Sequence, residues 1–355
     1  MCNKEKVLIA MSGGVDSAVC AYLIKESGNT AEGVTMRLGG CNTHEDTCHA
    51  LPDQNCIDAK GTADALGIPH RCISLGKSFK EAVVDKFISD YINGFTPNPC
   101  VECNKSIKFG ALMEYAIAQG FDSLATGHYA RIEQDEHGEF LLKKATDVNK
   151  DQSYFLWSVK KEYLSRIKLP LGKLTKTQVR EIAEKKELPC AKRADSQDVC
   201  FIPDGDYAAF IRNNVSRDFP KGDFINETGE RLGKHQGIIN YTVGQRKGLG
   251  IALGHPIFVK SKCVKSNTVT LCENADLFSD FLTAHSINLM KNEVLVSPIR
   301  VEAKIRYRHA PSPATAWIEN DRLHVKFDEP QRAITPGQSV VLYQGDTLVC
   351  GGIID

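Results

Sequence analysis

The sequence predicts an α/β fold in which a doubly wound parallel sheet is followed by a small β-rich domain and a C-terminal β-barrel. In roughly the first 200 residues, short apolar runs alternate with stretches of helical periodicity, as in a sheet covered by helices on both faces. From about 212 onward, glycines become frequent and the apolar runs shorten. From about 276 onward, alternating strands recur between proline-containing turns, which favours a closed barrel. The predicted domains are residues 1–211, 212–274 and 275–355.

The elements of the first domain follow one another regularly. Strands are predicted over 6–11, 31–38, 70–75 and 123–129, and helices over 18–24, 57–66, 79–91 and 175–187, within a mostly helical stretch 150–211. In such folds the ligand binds at the carboxyl ends of the strands. The segment Ser12–Ser17, Met36 and the pair Gly127–His128 should therefore meet there.

Length and composition place the chain among globular proteins with two or three domains. It has 355 residues, 42% of them hydrophobic and 25% charged. No apolar run approaches the roughly 20 residues that span a bilayer. The N-terminus enters the first strand at once, so we expect no signal or transit peptide. We therefore expect a cytoplasmic location.

The net charge is zero, but its distribution is uneven. Residues 140–193 contain fourteen Lys or Arg and six Asp or Glu, a net charge of +8. Such a segment is compatible with RNA binding. From charge alone, a solvated helical surface explains it equally well.

The segment Ser12–Ser17 lies between an apolar strand and a helix. Gly13 and Gly14 permit a tight turn, and the helix N-terminus favours an anion. Asp16 is a candidate for a magnesium ion that bridges phosphates. The segment therefore predicts a phosphate cradle, although a serine-capped helix after a strand is the simpler alternative. It lacks the Gly-Lys-Ser/Thr of a Walker A loop and resembles the PP-loop of enzymes that cleave ATP between its α- and β-phosphates.

Thirteen cysteines, an odd number, argue against a disulfide framework in a chain without an export signal. Those in apolar runs are predicted to be buried: Cys20, Cys263, Cys272 and Cys350. Cys103 follows two prolines at the predicted start of a helix, near Lys105 and Lys108, a setting that favours a thiolate. Cys200 lies in a second loop before a helix.

Seven motifs occur in an order that resembles the tRNA-specific 2-thiouridylase (MnmA) family over essentially the whole chain. They are Ser12–Ser17, Asn98–Phe109, Thr126–Tyr129, Lys150–Tyr154, Asp195–Ile202, Tyr241–Gly248 and Arg306–Arg308. The resemblance implies that ATP adenylates the C2 oxygen of the uridine at the first anticodon position, after which sulfur replaces that oxygen. The expected partners are tRNA and a persulfide donor such as a cysteine desulfurase, and the expected cofactors are ATP and magnesium.

The resemblance also implies roles for individual residues. Cys200 would carry the persulfide and Cys103 would act as nucleophile, either releasing hydrosulfide or closing a disulfide with Cys200. The implied contacts are, for ATP, Ala10, Met11, Ser12, Gly13, Gly14, Val15, Asp16, Ser17, Met36 and Gly127; for the target base, Asn98, Pro99 and Cys100; and for tRNA, Lys150, Asp151, Gln152, Arg306 and Tyr307.

Cys100 departs from the family, in which an Asp that is a candidate acid/base often occupies this position. The pair Cys100 and Cys103, together with Cys200, would supply three thiolates for an iron–sulfur cluster, although we favour disulfide chemistry. The Cys/His-containing loop 41–49, with Cys56 downstream, also resembles a metal site, but none of its gaps is the Cys-x₂-Cys of common zinc sites. An incidental loop at the edge of the site is the favoured interpretation.

Other functions compete with this one. An amide ligase or a tRNA lysidine synthetase would use the same loop without a cysteine pair. A cluster-dependent tRNA sulfurtransferase would use the cysteines differently. A non-catalytic RNA-binding protein would not use ATP, and the intact Gly13–Asp16 run argues against it.

Overall fold

A computed structural model of the chain describes residues 4–39, 54–193, 199–251, 253–291 and 297–355. The chain divides into two compact units. The first comprises residues 1–84, 100–197 and 345–348; the second comprises residues 85–99, 198–344 and 349–355.

The first unit contains a parallel sheet, as predicted. The strands of this unit, up to residue 168, are β1 (Lys6–Ala10), β2 (Thr30–Arg37), β3 (His70–Ser74), β4 (Ser123–Ala125), β5 (Arg131–Gln134), β6 (Phe140–Lys143) and β7 (Ile167–Lys168). Five of them form the parallel sheet. The sheet has the order β3-β2-β1-β4-β7, so the direction of winding reverses between β1 and β4. Ligands of doubly wound folds bind at such a switch point. The strands β5 and β6 form a hairpin, and Lys143 of β6 pairs with Thr347.

Helices accompany these strands, with β1 completely buried at Val7, Leu8 and Ile9. The α-helices of the described residues, of which α4 and α8 belong to the second unit, are α1 (Val15–Glu26), α2 (Gln54–Ala65), α3 (Gly76–Phe79), α4 (Asp85–Ile92), α5 (Pro99–Glu102), α6 (Leu112–Ala118), α7 (Lys176–Lys185) and α8 (Tyr207–Asn214). Two π-helical segments, Lys80–Val84 and Cys103–Ala111, interrupt or extend them. In α7, Thr175 and Gln178 form a capping box, which explains why this basic helix begins where the sequence predicts.

The second unit contains a small β-rich sheet and a closed barrel, as predicted. Its remaining strands are β8 (Gly222–Ile225), β9 (Arg231–His235), β10 (Phe258–Cys263), β11 (Thr268–Cys272), β12 (Phe278–Leu289), β13 (Ile299–Lys304), β14 (Ser312–Glu319), β15 (Arg322–Arg332), β16 (Ser339–Gln344) and β17 (Thr347–Ile354). The small sheet has the order β10-β11-β8-β9. The barrel has the order β12-β15-β14-β13-β16-β17, and the pairing of β12 with β17 closes it.

Several predicted boundaries are wrong. The fourth strand ends at Ala125, because the chain turns at Gly127 to pass against the first turn of α1. The helix predicted over 79–91 is broken by the π-helical segment Lys80–Val84. The stretch 150–211 consists mostly of turns and short 3₁₀ segments, with α7 and α8 as its α-helices among the described residues.

Cys263 is exposed, contrary to the prediction, whereas Cys20, Cys272 and Cys350 are buried. Successive side chains of a strand point to opposite faces, and on β10 the inner position next to Cys263 belongs to Lys262, whose Nζ is buried. The apolar residues around Cys263 predict a buried strand, but the bulge between Val259 and Ser261 changes which face each residue occupies.

Candidate functional site

The loop between β1 and α1 has the backbone of a phosphate cradle. Gly13 has a φ of +76°, and Gly14 precedes α1 in an extended conformation without a side-chain cap. The first N–H groups of α1 are therefore not occupied by a capping side chain, as an anion site at a helix N-terminus requires. Met11 joins the loop to β2, because its N–H donates to Val34 O at 2.8 Å.

The two serines of the loop hold its shape. Ser17 Oγ accepts a hydrogen bond from the N–H of Ser12 at 3.2 Å and donates to Gly14 O at 2.9 Å. Ser17 is buried, whereas Ser12 is exposed. Ser12 Oγ donates to Ser17 Oγ at 3.4 Å, so both hydroxyls bond within the loop and Ser12 is the more exposed of the two.

The ends of the neighbouring strands bring the other predicted ATP contacts to the same edge. Ala10 of β1 is in register with Val34 of β2, two residues before Met36, which is half-buried. On the other side of β1, Gly127 follows β4. A methyl group on Gly127 would lie 2.8 Å from the carbonyl carbon of Asp16, so only glycine permits this approach.

Asp16 does not fit the role of a magnesium ligand in this arrangement. Its Oδ1 accepts hydrogen bonds from Tyr129 OH and Lys176 Nζ, each at 2.7 Å, and its Oδ2 accepts from Lys176 Nζ at 2.9 Å. The ammonium group occupies the position that a cation would take. We therefore derive no step through a metal ion held by Asp16.

Arg193 supports the loop from the opposite side. Its Nη1 donates to Gly13 O at 3.1 Å and pairs with the carboxylate of Asp58, and its Nη2 donates to Asn55 Oδ1 at 3.1 Å. A methyl group on Gly13 would lie 2.9 Å from Asp58 Cβ. The helix α2 therefore packs directly against the glycine turn.

Lys176, Arg193 and Tyr129 belong to this site, although the sequence alone does not predict them there. Lys176 and Arg193 both belong to the basic segment 140–193; the side chain of Lys176 is 12% exposed and that of Arg193 is 39% exposed. Two positive side chains of that segment therefore bind the phosphate loop of this chain. One local feature distinguishes Lys176 from the other lysines of the segment. It follows the capping residue Thr175, so the sequence predicts that it lies at the start of a helix.

Cys103 lies within a continuous helical run and not at its beginning. The run starts at Pro99, as is common for proline at the first helical position, and it becomes π-helical from Cys103 to Ala111. Cys100 is exposed and Cys103 is half-buried. π-helical turns are rare and frequently occur at functional sites. Here Gly110 permits the wider turn, because a methyl group there would lie 2.8 Å from Lys105 O.

The same helical run is linked to the end of β4 through a buried histidine. Lys108 Nζ lies 3.3 Å from His128 Nε2, and Thr126 Oγ1 lies 2.7 Å from His128 Nδ1. Burial, with a smaller contribution from Lys108, holds the pKa of His128 well below its usual range. His128 is therefore neutral at physiological pH and links the helix of Cys103 to the strand end beside Gly127.

The predicted tRNA segment 150–152 is ordered by its own side chains. Asp151 is buried, and its Oδ1 accepts from the N–H groups of Ala145 and Ser153 at 2.9 and 3.2 Å. Gln152 Oε1 accepts from the N–H of Tyr129 at 2.9 Å. Lys150 is half-buried. The carboxylate of Asp151 thus shapes the turn, whereas Lys150 supplies its positive charge.

In the second unit, Cys200 is exposed and its neighbour Phe201 is anchored in an aromatic cluster. We define the aromatic cluster as Phe87, Tyr91, Phe201, Tyr207 and Phe210. The ring of Phe201 meets Phe87 edge-on at 5.4 Å and Phe210 at 5.3 Å. Tyr91 stacks on Tyr207 at 4.8 Å. Most of the predicted motif before Cys200, residues 194–198, lies outside the described residues.

The segment that precedes Asn98 and Pro99 is hydrogen-bonded to a turn of the barrel. Gln338 Nε2 donates to Thr96 O at 2.8 Å, and the N–H of Thr96 donates to Pro336 O at 2.9 Å. Gly337 has a φ of +89°, and a methyl group there would lie 2.9 Å from the backbone nitrogen of Thr96. The predicted base-contacting residues Asn98 and Pro99 therefore follow a segment that is hydrogen-bonded to the barrel of their own unit.

The predicted tRNA residues Arg306 and Tyr307 follow β13 on the barrel. Arg306 Nη2 donates to Thr335 Oγ1 at 2.8 Å and to Ala333 O. Lys304 Nζ lies 5.5 Å from the centre of the Tyr307 ring, a cation–π contact. Together with the exposed Arg308, these side chains form a compact basic and aromatic surface.

The Cys/His-containing loop 41–49 lies outside the described residues. In the described ranges, no group of three or more His, Cys, Asp or Glu side chains gathers as a metal site would require. Nor does any helix in those ranges combine the length and apolarity needed to cross a bilayer.

Comparisons with known proteins cover the whole chain. Residues 5–204 match a family model described as tRNA methyl transferase HUP domain, residues 208–273 the tRNA methyl transferase PRC-barrel domain, and residues 279–354 the Aminomethyltransferase beta-barrel domain. Two relatives are each called tRNA-specific 2-thiouridylase MnmA. The one from Clostridioides difficile is 45% identical over 367 residues, which is 100% of this chain and 99% of the relative. The one from Acetivibrio thermocellus is 43% identical over 360 residues, 99% of each.

Proposed function

Because the chain belongs to the tRNA-specific 2-thiouridylase family, we propose that it is an ATP-dependent sulfurtransferase that converts a uridine of tRNA to 2-thiouridine. The observation that carries this proposal is the identity of 43–45% with 2-thiouridylases over essentially the full length of both chains. The words "methyl transferase" in the domain descriptions refer to a different reaction. The reaction is better inferred from relatives that match over their full length than from the name of one domain. The exposed thiol of Cys200 is also suited to sulfur transfer.

The loop Ser12–Ser17 binds the phosphates of ATP in this proposal. The uncapped start of α1 and the glycine turn receive the anionic phosphates, while Ala10, Met36 and Gly127 border the nucleotide at the ends of β1, β2 and β4. Arg193 and Lys176 hold the loop and its Asp16 in place. Magnesium would accompany ATP through the phosphates, since Asp16 is already paired.

The first chemical step activates the base. The C2 oxygen of uridine attacks the α-phosphorus of ATP, a bond to the β-phosphate breaks, and pyrophosphate leaves. The adenylated oxygen is a far better leaving group than the carbonyl oxygen. We assign recognition of this base to Asn98, Pro99 and Cys100, and we place the uridine at the first anticodon position, where an unpaired base turns into a pocket at modest cost.

The second step transfers sulfur. A persulfide on Cys200 supplies its terminal sulfur to C2, and AMP leaves with the original oxygen. Cys103 attacks Cys200 Sγ, so that the sulfur–sulfur bond to the transferred atom breaks and a Cys103–Cys200 disulfide forms. A thiol reductant then restores both thiols. The persulfide itself comes from a cysteine desulfurase or a sulfur-relay protein.

We assign tRNA contacts to two surfaces, the turn 150–152 with Lys150, and Arg306 with Tyr307 on the barrel. Asp151 and Gln152 order the first surface through their hydrogen bonds. Since ATP and tRNA are both substrates, we place the reaction in the cytoplasm.

Reconstitution tests the proposal. Purified protein is incubated with ATP, magnesium, a cysteine desulfurase with cysteine, a thiol reductant and unmodified tRNA, and the nucleosides are analysed for 2-thiouridine. We expect one thiolated uridine per tRNA, release of AMP and pyrophosphate, and no product from tRNA whose wobble uridine is replaced by cytidine. Absence of 2-thiouridine under both aerobic and anaerobic conditions would refute the function.

The same assay separates the competing functions. An amide ligase or a lysidine synthetase predicts that Cys200→Ser keeps full product-forming activity. A cluster-dependent sulfurtransferase predicts an air-sensitive brown chromophore that requires Cys100, Cys103 and Cys200. A non-catalytic RNA-binding protein predicts binding of tRNA without release of AMP or pyrophosphate.

A further inference from the structure

A second pair of cysteines lies beside the phosphate loop and has no role in the proposed sulfur transfer. The Sγ atoms of Cys56 and Cys72 are 2.9 Å apart, with Cys72 donating to Cys56. Cys56 is buried in α2, and Cys72 is exposed on β3. We propose that Cys56 and Cys72 form a reversible disulfide that serves as a redox modification site coupled to the nucleotide loop.

The chemistry follows from the different exposure of the two thiols. The thiolate of the exposed Cys72 attacks a peroxide oxygen, the O–O bond breaks, and a sulfenic acid and one water form. The buried Cys56 then attacks the sulfenyl sulfur, which forms the S–S bond and releases a second water. Two thiols thus lose two electrons and two protons to one hydrogen peroxide. A dithiol reductant reverses the reaction by exchange.

Of the two elements that carry the pair, α2 contacts the phosphate loop directly and β3 is joined to it through β2. On α2, Cys56 lies between Asn55 and Asp58, which bind Arg193 and pack against Gly13. On β3, Cys72 is in register with Thr35 of β2, whose Oγ1 donates to Met11 O at 2.9 Å. A disulfide requires the sulfurs to approach to about 2.05 Å. Closing the distance from 2.9 Å draws Cys56 toward Cys72, and the proposed coupling is that the tight contact of α2 with Gly13 passes any shift of α2 to the loop.

Peptide mapping tests the modification independently of the proposed function. The full-length protein is treated with hydrogen peroxide, free thiols are alkylated, and tryptic peptides are analysed by mass spectrometry. We expect a linked pair of peptides 38–60 and 72–77 that disappears after reduction. Because peptide 38–60 also contains Cys41 and Cys48, the variants Cys56→Ser and Cys72→Ser must each abolish the link, and Cys20→Ser must not.

Persistence of the link in Cys56→Ser would overturn the proposal, because Cys41 or Cys48 would then be the partner. Absence of the link when Cys72 is fully oxidised would overturn it equally. One zinc per purified chain that is lost in both Cys56→Ser and Cys72→Ser would assign the pair to a metal instead.

Equilibrium binding of ATP tests the coupling, which rests on the proposed function. We expect the peroxide-treated protein to bind ATP several-fold more weakly than the reduced protein, with recovery on addition of dithiothreitol. Cys72→Ser should bind ATP as the reduced wild type does and should not respond to peroxide. ATP binding that is normal in the reduced protein and unchanged after oxidation would refute the coupling alone. If the reduced protein does not bind ATP, the proposed function fails, whereas the peptide link is unaffected.

Discussion

The phosphate loop of the first unit and the Cys200 turn of the second unit are built in opposite ways. The loop is surrounded by contacts: Ser17 bonds within it, Arg193 and Lys176 hold it from outside, and Gly13 and Gly127 leave no room for a methyl group. Cys200 stands exposed on a turn, and the adjacent Phe201 inserts into the aromatic cluster.

The difference corresponds to what each region must do. A phosphate site acts through the fixed positions of N–H groups, so its function depends on the backbone geometry of the loop. A sulfur carrier acts through one atom that must accept sulfur from another protein, so its function depends on a reactive and accessible thiol. Substitutions in the loop should therefore act through volume, whereas substitutions at Cys200 should act through the sulfur atom alone.

The largest expected effect is the loss of thiolation when Cys200 is substituted. Cys200→Ser should lower the rate of thiolation by at least about 1000-fold, because the oxygen cannot carry a persulfide. Since the residue is exposed, ATP binding and the unfolding midpoint should not change. Thiolation is measured by nucleoside analysis and ATP binding by equilibrium dialysis. The matched control is Cys263→Ser, another exposed cysteine of the same unit, which should retain full activity. Activity of Cys200→Ser within tenfold of wild type would show that this turn is not the sulfur carrier.

The second effect concerns volume at the loop. Gly127→Ala places a methyl group 2.8 Å from the backbone of Asp16, so α1 must shift. ATP binding should weaken by about 10- to 100-fold, or about 1.4–2.7 kcal/mol, as measured by calorimetric titration. The control Gly61→Ala adds a methyl group to α2 where no atom lies within 4 Å, and it should leave ATP binding unchanged. Equal effects of the two substitutions would contradict the role of the close approach.

Third, truncation of Phe201 tests the anchor without touching the thiol. Phe201→Ala removes two ring contacts, at 5.4 and 5.3 Å, and should destabilise the second unit by about 2 kcal/mol. Urea unfolding measures this loss. Phe278→Ala serves as control, since that side chain is 46% exposed. We expect thiolation by Phe201→Ala to fall as well, with ATP binding intact; unchanged thiolation would show that the turn needs no anchor.

The smallest effect compares two lysines. Lys176 is paired with Asp16, whereas the buried Nζ of Lys262 has no hydrogen-bond partner among the described residues and lies 5.8 Å from the centre of the Tyr91 ring. Burial lowers the pKa of Lys262 to about 8. Lys262→Met should therefore raise the free energy of unfolding by about 1 kcal/mol at pH 7, and Lys176→Met should lower it, because Asp16 loses its cation.

The pH dependence of this effect has a definite sign. Above about pH 8, folded Lys262 loses its proton, while the unfolded chain keeps it to about pH 10.4. The unfolded state then binds more protons, so the stability of the wild type rises with pH relative to Lys262→Met. The advantage of the variant should shrink between pH 8 and pH 10 in urea titrations. An advantage that stays constant over this range would mean that Lys262 keeps its proton in the folded state.

Local features were predictable because they depend on neighbouring residues. The strand, glycine turn and helix around Ser12–Ser17 appear where the sequence predicts them, and the capped helix α7 does too. Prediction failed where proline was taken to exclude a helix and where strand packing intervened. Cys103 lies inside a helical run because Pro99 begins it, and Cys263 is exposed because a bulge in β10 changes the alternation of faces.

The sequence by itself determined the phosphate loop, the order of the domains' folds and the family, since each depends on contiguous residues or on the order of motifs. Only the tertiary structure decided which distant side chains complete the site. Lys176 pairs with Asp16 across 160 residues and Arg193 reaches Gly13 across 180. It also decided that Cys56 lies against Cys72, and that Lys262 is buried in place of Cys263. The physical reason is that backbone conformation is set by local sterics and periodicity, whereas side-chain partners are set by how helices and strands pack.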